Sequence, residues 1–348
     1  MARVLPLRAL LGLVRAGDVR ARFRAAQDGQ AALRLQIVAA ALATGVLDAL
    51  AQAPAGTAEL ARRTGAADPG LLEAFLRVTV ATRLVDEDRA AARWRLTRAG
   101  RAVVEDDLVR ASYEGFGSFH TDLYRELGVV LAGTTRRHDL AERGGVIARM
   151  AAGFDTFVHD LLVRTVTARR PRRVLDVGCG TGLQLAGMLE AAPGATGVGV
   201  DVDAAAAALA RRTLEDRGLS GRANVEVGDV RTALDRSTGA LAGPFDLALL
   251  CNVVYYLPPA ERVPLLRTVA GVLAPGGTVL VVTTAATPQL FSRHLDLLLR
   301  AQESDMQLPD AGSLVRQLAE AGLDPEPPRT LVPGAPLVAV TATRPGSR

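Results

Sequence analysis

The residues best able to do chemistry in this chain surround one glycine-rich stretch. An apolar run from Arg173 carries Asp176, and glycines follow at alternate positions, Gly178, Gly180 and Gly182, before a helical pattern opens near Leu183. Glycine reaches backbone angles closed to other residues and lets a ligand lie against the main chain. In an open α/β sheet such a turn stands at the carboxyl end of a strand, where ligands bind. Dinucleotide sites space their glycines G-x-G-x-x-G. Here the spacing is G-x-G-x-G with an acid two positions upstream, which suits a nucleoside with an amino-acid tail.

Three further segments agree. Gly197 to Asp201 is a second strand ending in a carboxylate, placed to accept ribose hydroxyls. A charge-assisted hydrogen bond of that kind is worth roughly 1.5–3 kcal/mol. Val225 to Asp229 is a third strand whose terminal acid can accept from an adenine amino group. Phe245 to Asn252 is a fourth, facing the glycine turn across the switch point. A tight turn, Leu273 to Thr278, leads into a fifth strand at Val279–Thr283, and Pro336–Arg344 reads as a final strand. Asp203 suits the cap of the next helix, and Asp246 an exposed strand start. Cys179 and Cys251 suit small packing positions, and neither has a histidine companion for metal binding.

This ordered set resembles the class I S-adenosylmethionine-dependent methyltransferases, over about residues 165–348. The resemblance implies an α/β fold: a Rossmann-like, seven-stranded sheet with its last strand antiparallel beside the fifth. It implies S-adenosyl-L-methionine as cofactor, S-adenosyl-L-homocysteine as product, and no metal. Asp176 and the loop Gly178, Cys179, Gly180 and Gly182 would hold the methionine part. Asp201, followed by Val202, would hold the ribose. Asp229, with Gly228 and Val230, would hold adenine. The main chain at Cys251, next to Asn252, would accept from the amino group.

The elements before residue 165 are mostly helical, and those after it alternate strand and helix. An amphipathic helix is expected over 31–52, a second after Thr57, whose side chain can cap it, and a third from about Pro69 to Arg83. Two short extended pieces follow, Leu84–Asp86 and Trp94–Leu96. That order is a winged-helix pattern. The third helix carries only Arg77 and Arg83 beside Glu73, too few phosphate- and base-contacting groups for DNA reading, so no nucleic-acid partner is expected. With this front, the layout is similar to bacterial and plant O-methyltransferases that dimerise through an N-terminal domain, which implies a homodimer. The domains read as 1–105, winged-helix dimerisation; 106–165, a helical connector contributing to the substrate pocket, with helices at 118–131, 141–152 and 154–168; and 166–348, cofactor binding.

Length and composition bound these readings. The chain has 348 residues, 49% hydrophobic and 22% charged, and a net charge of +4. These values exclude disorder, collagen and coiled coil for the whole chain. Every basic residue is arginine, and the mild positive excess gives only weak steering toward acidic substrates. Two cysteines make no disulfide framework, which favours a reducing cytoplasm. Met1 to Val14 is apolar but interrupted by Arg3 and Arg8, with no clear secretory cleavage site. The stretch Leu35 to Leu47 is too short to span a bilayer. A cytoplasmic protein without a membrane partner is expected.

The acceptor chemistry is less defined. Phenol-directed members of the resembled family carry a catalytic histidine after the fourth strand, where this chain has Glu261. Glu261 can serve as a weak base, since an ordinary glutamate titrates near pH 4.3, or it can simply start a helix. His294, in a segment between the fifth strand and the next helix, and His120, in an aromatic stretch, are the other candidate bases. His159 sits within a helix. Tyr113, Phe116, Tyr124, Tyr255 and Phe291 are candidate substrate-lining rings, although core packing also accounts for them. The expected acceptor is a small metabolite or peptide, most simply at a carboxylate or hydroxyl oxygen. Alternatives are carbon or nitrogen methylation, a ligand-sensing winged-helix regulator, and a nicotinamide-dependent oxidoreductase.

Overall fold

The computed structural model describes residues 17–234 and 239–346, so the expectation for Met1–Val14 lies outside the described residues. The chain forms two compact units, Met1–Gly128 with Ala141–Ala152, and Val129–Leu140 with Gly153–Arg348.

In the first unit, helix Val19–Ala43 starts at Asp18, whose carboxylate accepts from the Arg20 and Ala21 amides. The single helix expected over 31–52 is two helices. Gly45 takes φ 71° and separates Val19–Ala43 from Val46–Gln52, a backbone state that favours glycine. Thr57 does not cap the next helix, Thr57–Thr64, which starts at Gly56 without a side-chain cap. Its hydroxyl instead accepts from the Trp94 indole N–H at 3.0 Å, because burying that indole requires a partner. Helix Pro69–Ala81 is capped by Asp68. A two-stranded antiparallel ribbon follows, β1 (Val85–Asp88) and β2 (Arg93–Leu96). Leu47, Leu50, Leu60, Leu76 and Trp94 form the core. Helices Arg98–Glu105, Asp107–Phe116 and Phe119–Leu131 come next. The helix expected over 141–152 is two short ones, Asp139–Glu142 and Gly144–Ala151. Arg149 on the latter pairs with Asp107 and Glu114.

The second unit is a doubly wound sheet. Its strands are β3 (Arg173–Val177), β4 (Thr196–Asp201), β5 (Ala223–Val227), β6 (Phe245–Cys251), β7 (Leu273–Thr284), β8 (Asp324–Pro325), β9 (Arg329–Thr330) and β10 (Leu337–Thr343). The order is β5-β4-β3-β6-β7-β10-β8, with β9 pairing β10. β3 to β7 are parallel, and β10 enters antiparallel to β7, Val340 opposite Val281. β10 is therefore not an edge: β8 and β9 pair along its other side.

Near-continuous apolar strands follow from having helices on both faces. Along β6, Leu247 and Leu249 point into one core while Ala248 and Leu250 point into the other, as the two-residue period requires. Helices Asp155–Arg169, Leu183–Ala191 and Ala204–Asp216 cover the first face with Leu162, Leu185, Met188 and Leu214. Helices Pro259–Gly271 and Ala311–Glu320 cover the second with Leu265, Leu266, Val269, Leu314 and Leu318. Among the described residues no single helix is long and apolar enough to cross a membrane.

Candidate functional site

Strand polarity builds the site. β5, β4, β3 and β6 are adjacent and parallel, so the residues at their carboxyl ends share one rim. That rim collects Val227–Val230, Asp201–Asp203, Gly178–Gly182 and Cys251–Asn252.

The glycine turn is sterically specified. Gly178, Gly180 and Gly182 have φ of 69°, 52° and 76°. A Cβ on Gly178 would lie 2.5 Å from Val253 Cγ2, and one on Gly182 2.9 Å from Ala210. A Cβ on Gly180 would meet nothing within 4 Å, so this glycine faces open space. The Gly178 and Cys179 amides donate to the Val200 carbonyl, pinning the loop to β4. The Cys179 thiol packs beneath Gly199 and is held neutral by burial, as is Cys251.

Asp201 is the second fixed point. Its Oδ2 accepts from the Gly180 amide at 2.8 Å and its Oδ1 from the Asp203 amide at 2.9 Å. Asp203 in turn caps helix Ala204–Asp216. Val202 is exposed and offers an apolar surface beside this carboxylate. Asp229 caps the short helix Val230–Ala233 and pairs with Arg231, which holds its carboxyl below the usual range. Gly228 donates its amide to the Asp201 carbonyl.

Two buried polar atoms at this rim have no partner within the protein, Asp176 Oδ2 and Asn252 Oδ1. Asp176 is 1% exposed. Burial first and the Asp201 charge second push its carboxyl up to about 7. Asn252 sits at φ 57°, an unfavourable region that asparagine tolerates better than most residues. An orphaned carboxylate oxygen and an orphaned amide oxygen at the end of adjacent strands fit a polar ligand that carries donors or a cation.

Residues 174–277 match the family described as Methyltransferase domain. This stretch of the second unit is a methyltransferase domain. One curated relative is the 2,7-dihydroxy-5-methyl-1-naphthoate 7-O-methyltransferase of Streptomyces carzinostaticus, 31% identical over 180 residues, 50% of this chain and 49% of the relative. The aligned stretches cover 25% to 63% of the curated relatives' own lengths. The mitomycin 7-O-methyltransferase MmcR has a similar structure, with TM-score 0.75 and 20% identity over 95% of this chain and 99% of the other. So does the N,N-8-amino-8-demethyl-D-riboflavin dimethyltransferase RosA of Streptomyces davawensis, with TM-score 0.70 and 23% identity over 94% and 99%. At these identities the two structures establish the fold.

The remaining predicted residues of the methyltransferase domain are placed as follows. Glu261 opens helix Pro259–Gly271, is half-buried, and pairs with Arg231, the same arginine that holds Asp229. His294 is half-buried on helix Leu290–Arg300, and burial holds it below the ordinary histidine range. Phe291 is one turn earlier and partly exposed. Tyr255 is 8% exposed and packs with Leu299 and Leu308, so most of its ring is core. Burial pushes both its phenol and that of Tyr256 above the ordinary tyrosine range. In the first unit, His120 is buried, stacked on Phe116 and tilted against Phe119, at centroid distances of 4.7 and 4.3 Å. Tyr113 packs against that unit's core, and Tyr124 is half exposed. His159 lies over Gly187, where a Cβ would sit 2.9 Å from its ring.

Sequence reasoning missed two residues of the rim. Asp155 opens helix Asp155–Arg169, and its Oδ1 accepts from Gln184 Nε2 at 3.0 Å. No motif marks Asp155. The available clue was direction: a helix running straight into β3 must begin at the rim.

Proposed function

We propose that the protein transfers a methyl group from S-adenosylmethionine to an oxygen of a small natural-product-type acceptor. The observation that carries this reading is the rim itself. A glycine cradle open at Gly180 and tied to the Asp201 carboxylate shares this rim with two orphaned buried oxygens, on Asp176 and Asn252. Asp201 would accept from the ribose hydroxyls beside the exposed Val202. Asp229, with the Gly228 and Val230 main chain, would hold the base, and Asp176, Asn252 and Cys251 the amino-acid tail. When bound, the cofactor supplies an electrophilic methyl on a sulfonium. The oxygen preference is supported by the naphthoate relative, which is a 7-O-methyltransferase, and by the similar fold of the mitomycin 7-O-methyltransferase.

The chain's own contribution is alignment. Holding two reactants in line provides effective molarities of roughly 10⁵–10⁸ M, and a carboxylate acceptor needs no base because it is ionised at neutral pH. A hydroxyl acceptor needs its proton removed. For that task we put forward His294, whose burial keeps the imidazole neutral and able to accept a proton. His120 is buried against the rings of Phe116 and Phe119. Glu261 is engaged by Arg231, and its place in this reading is to steady Asp229 through that arginine. A homodimer through the first unit goes with the proposal, since Phe23 and Leu33 are 67% and 64% exposed along helix Val19–Ala43. Light scattering showing a monomer at micromolar concentration would remove it.

The test uses methyl-tritiated S-adenosylmethionine and an extract of producing cells, followed by mild alkali. Label released as methanol identifies a carboxylate acceptor. Label retained on an oxygen, located by NMR of the product, identifies a hydroxyl and calls for the His294→Ala variant. Label on nitrogen or carbon overturns the oxygen assignment.

A further inference from the structure

Helix Asp155–Arg169 has 15 residues, about 22 Å of rise. It ends four residues before β3 begins, so it lies antiparallel to that strand along the sheet. Its first turn therefore stands at the carboxyl rim, beside the start of helix Leu183–Ala191. The Asp155–Gln184 hydrogen bond ties these two helix starts together at 3.0 Å.

A first-turn aspartate that merely favours its own helix dipole would sit in solvent. Asp155 is half-buried, and burial pushes its carboxyl up from the ordinary range while Gln184 pulls the other way. Among the described residues no guanidinium pairs with it. Burial, and behind it the charges of Asp176 and Asp155, pushes the Cys251 thiol up. Two carboxylates from different elements thus stand at this rim, Asp155 on its helix start and Asp176 on β3. One has a buried oxygen with no protein partner, and the other has an amide as its side-chain partner and no cation. Such an arrangement is costly unless a positive group joins it.

We propose that Asp155 is a cofactor-binding residue that receives the α-ammonium of the amino-acid tail, with Gln184 as its positioning partner. The proposal rests on the reading of this rim as an S-adenosylmethionine site. The amide of Gln184 fixes one carboxylate oxygen and leaves the other for the ammonium. Asp176, on β3, would offer its unpartnered oxygen to the same group. The domain then holds the tail between a helix that precedes the glycine motif and the strand that carries it.

Calorimetry with S-adenosylhomocysteine, and with its deaminated analogue S-adenosyl-4-thiobutyrate, tests this without turnover. The analogue is read by displacement where direct heat is small. The isosteric Asp155→Asn keeps an acceptor for Gln184. It is expected to weaken S-adenosylhomocysteine at least tenfold and to leave the deaminated analogue within twofold. Gln184→Ala is expected to show the same selectivity with a smaller loss. Unchanged affinity for S-adenosylhomocysteine in Asp155→Asn overturns the proposal, and so does equal weakening of both ligands. If the unaltered protein binds neither ligand, the cofactor reading of the rim fails and this inference fails with it.

Discussion

Two aspartates on neighbouring strands show how differently the sheet's two ends treat a carboxylate. Asp246, at the amino end of β6, accepts from the Arg172 and Arg173 amides at 2.8 and 3.0 Å. In sequence it reads as an exposed strand start; in the structure it fastens the beginning of β3 to β6. Asp176, near the carboxyl end of β3, is fully enclosed and keeps one oxygen without a protein partner. At one end the polar capacity is spent on the fold. At the other it is retained, and retained capacity in a buried group marks where a ligand belongs.

The largest expected effect comes from filling the cradle. Gly178→Val puts a branched side chain at φ 69° against Val253, 2.5 Å from the first added carbon. A destabilisation on the order of 3 kcal/mol is expected from strain and overpacking together. S-adenosylhomocysteine should also lose at least about 100-fold in affinity, roughly 2.8 kcal/mol. Calorimetry and thermal melting check the two parts. Near-normal binding would mean that the carboxyl end is no more specialised than the amino end.

The second effect tests the orphaned carboxylate by pH. The folded state raises Asp176 from an ordinary 3.8 to about 7, so between these values the native protein holds a proton that the unfolded chain has lost. Through this group stability is highest at or below about pH 4, declines as pH rises toward 7, and levels off above that. The full span is on the order of 4 kcal/mol at most. Asp176→Asn removes this slope, so the variant should gain on the native protein as pH rises from 5 to 8 in denaturant titrations. Parallel pH profiles for the two proteins would show that Asp176 is as well satisfied as Asp246.

The third effect runs the other way. Asp246→Ala strips two amides of their acceptor and should cost about 1–2 kcal/mol of stability. S-adenosylhomocysteine affinity should stay within about twofold, because distant, independent sites act additively. A large affinity loss would dissolve the distinction between the two ends.

How much of this was legible in the sequence differs along the same line. The strand ends carrying Asp176, Asp201, Asp229 and Cys251 were readable, because a run of apolar residues closing on an acid or a glycine is local in sequence. The antiparallel β10 was expected beside β7, but not its cover by β8 and β9, which are two residues long each and leave no period to detect. The break at Gly45 was missed because the apolar pattern continues across it, and one glycine in αL outweighs that pattern. Thr57 was read as a cap because local spacing allowed it, while its true partner, Trp94, lies 37 residues away. Asp155 and Gln184 are 29 residues apart and meet only because a helix and a strand run in opposite directions.

The smallest effect separates two acids within one turn at the rim. Asp203 accepts from the Ala205 amide at 2.8 Å and serves its helix, and Asp201 accepts from the loop and faces the cradle. Asp203→Ala should lower stability by about 1 kcal/mol, the usual cost of an N-cap, and leave S-adenosylhomocysteine binding unchanged. Asp201→Ala should cost at least about tenfold in affinity, near 1.4 kcal/mol. Its effect on the fold should be secondary, since it leaves the Gly180 amide at an open loop where water can replace the carboxylate. If Asp203→Ala instead lowers affinity as much as Asp201→Ala does, the division between fold-serving and ligand-serving carboxylates fails at the place where the two kinds stand closest together.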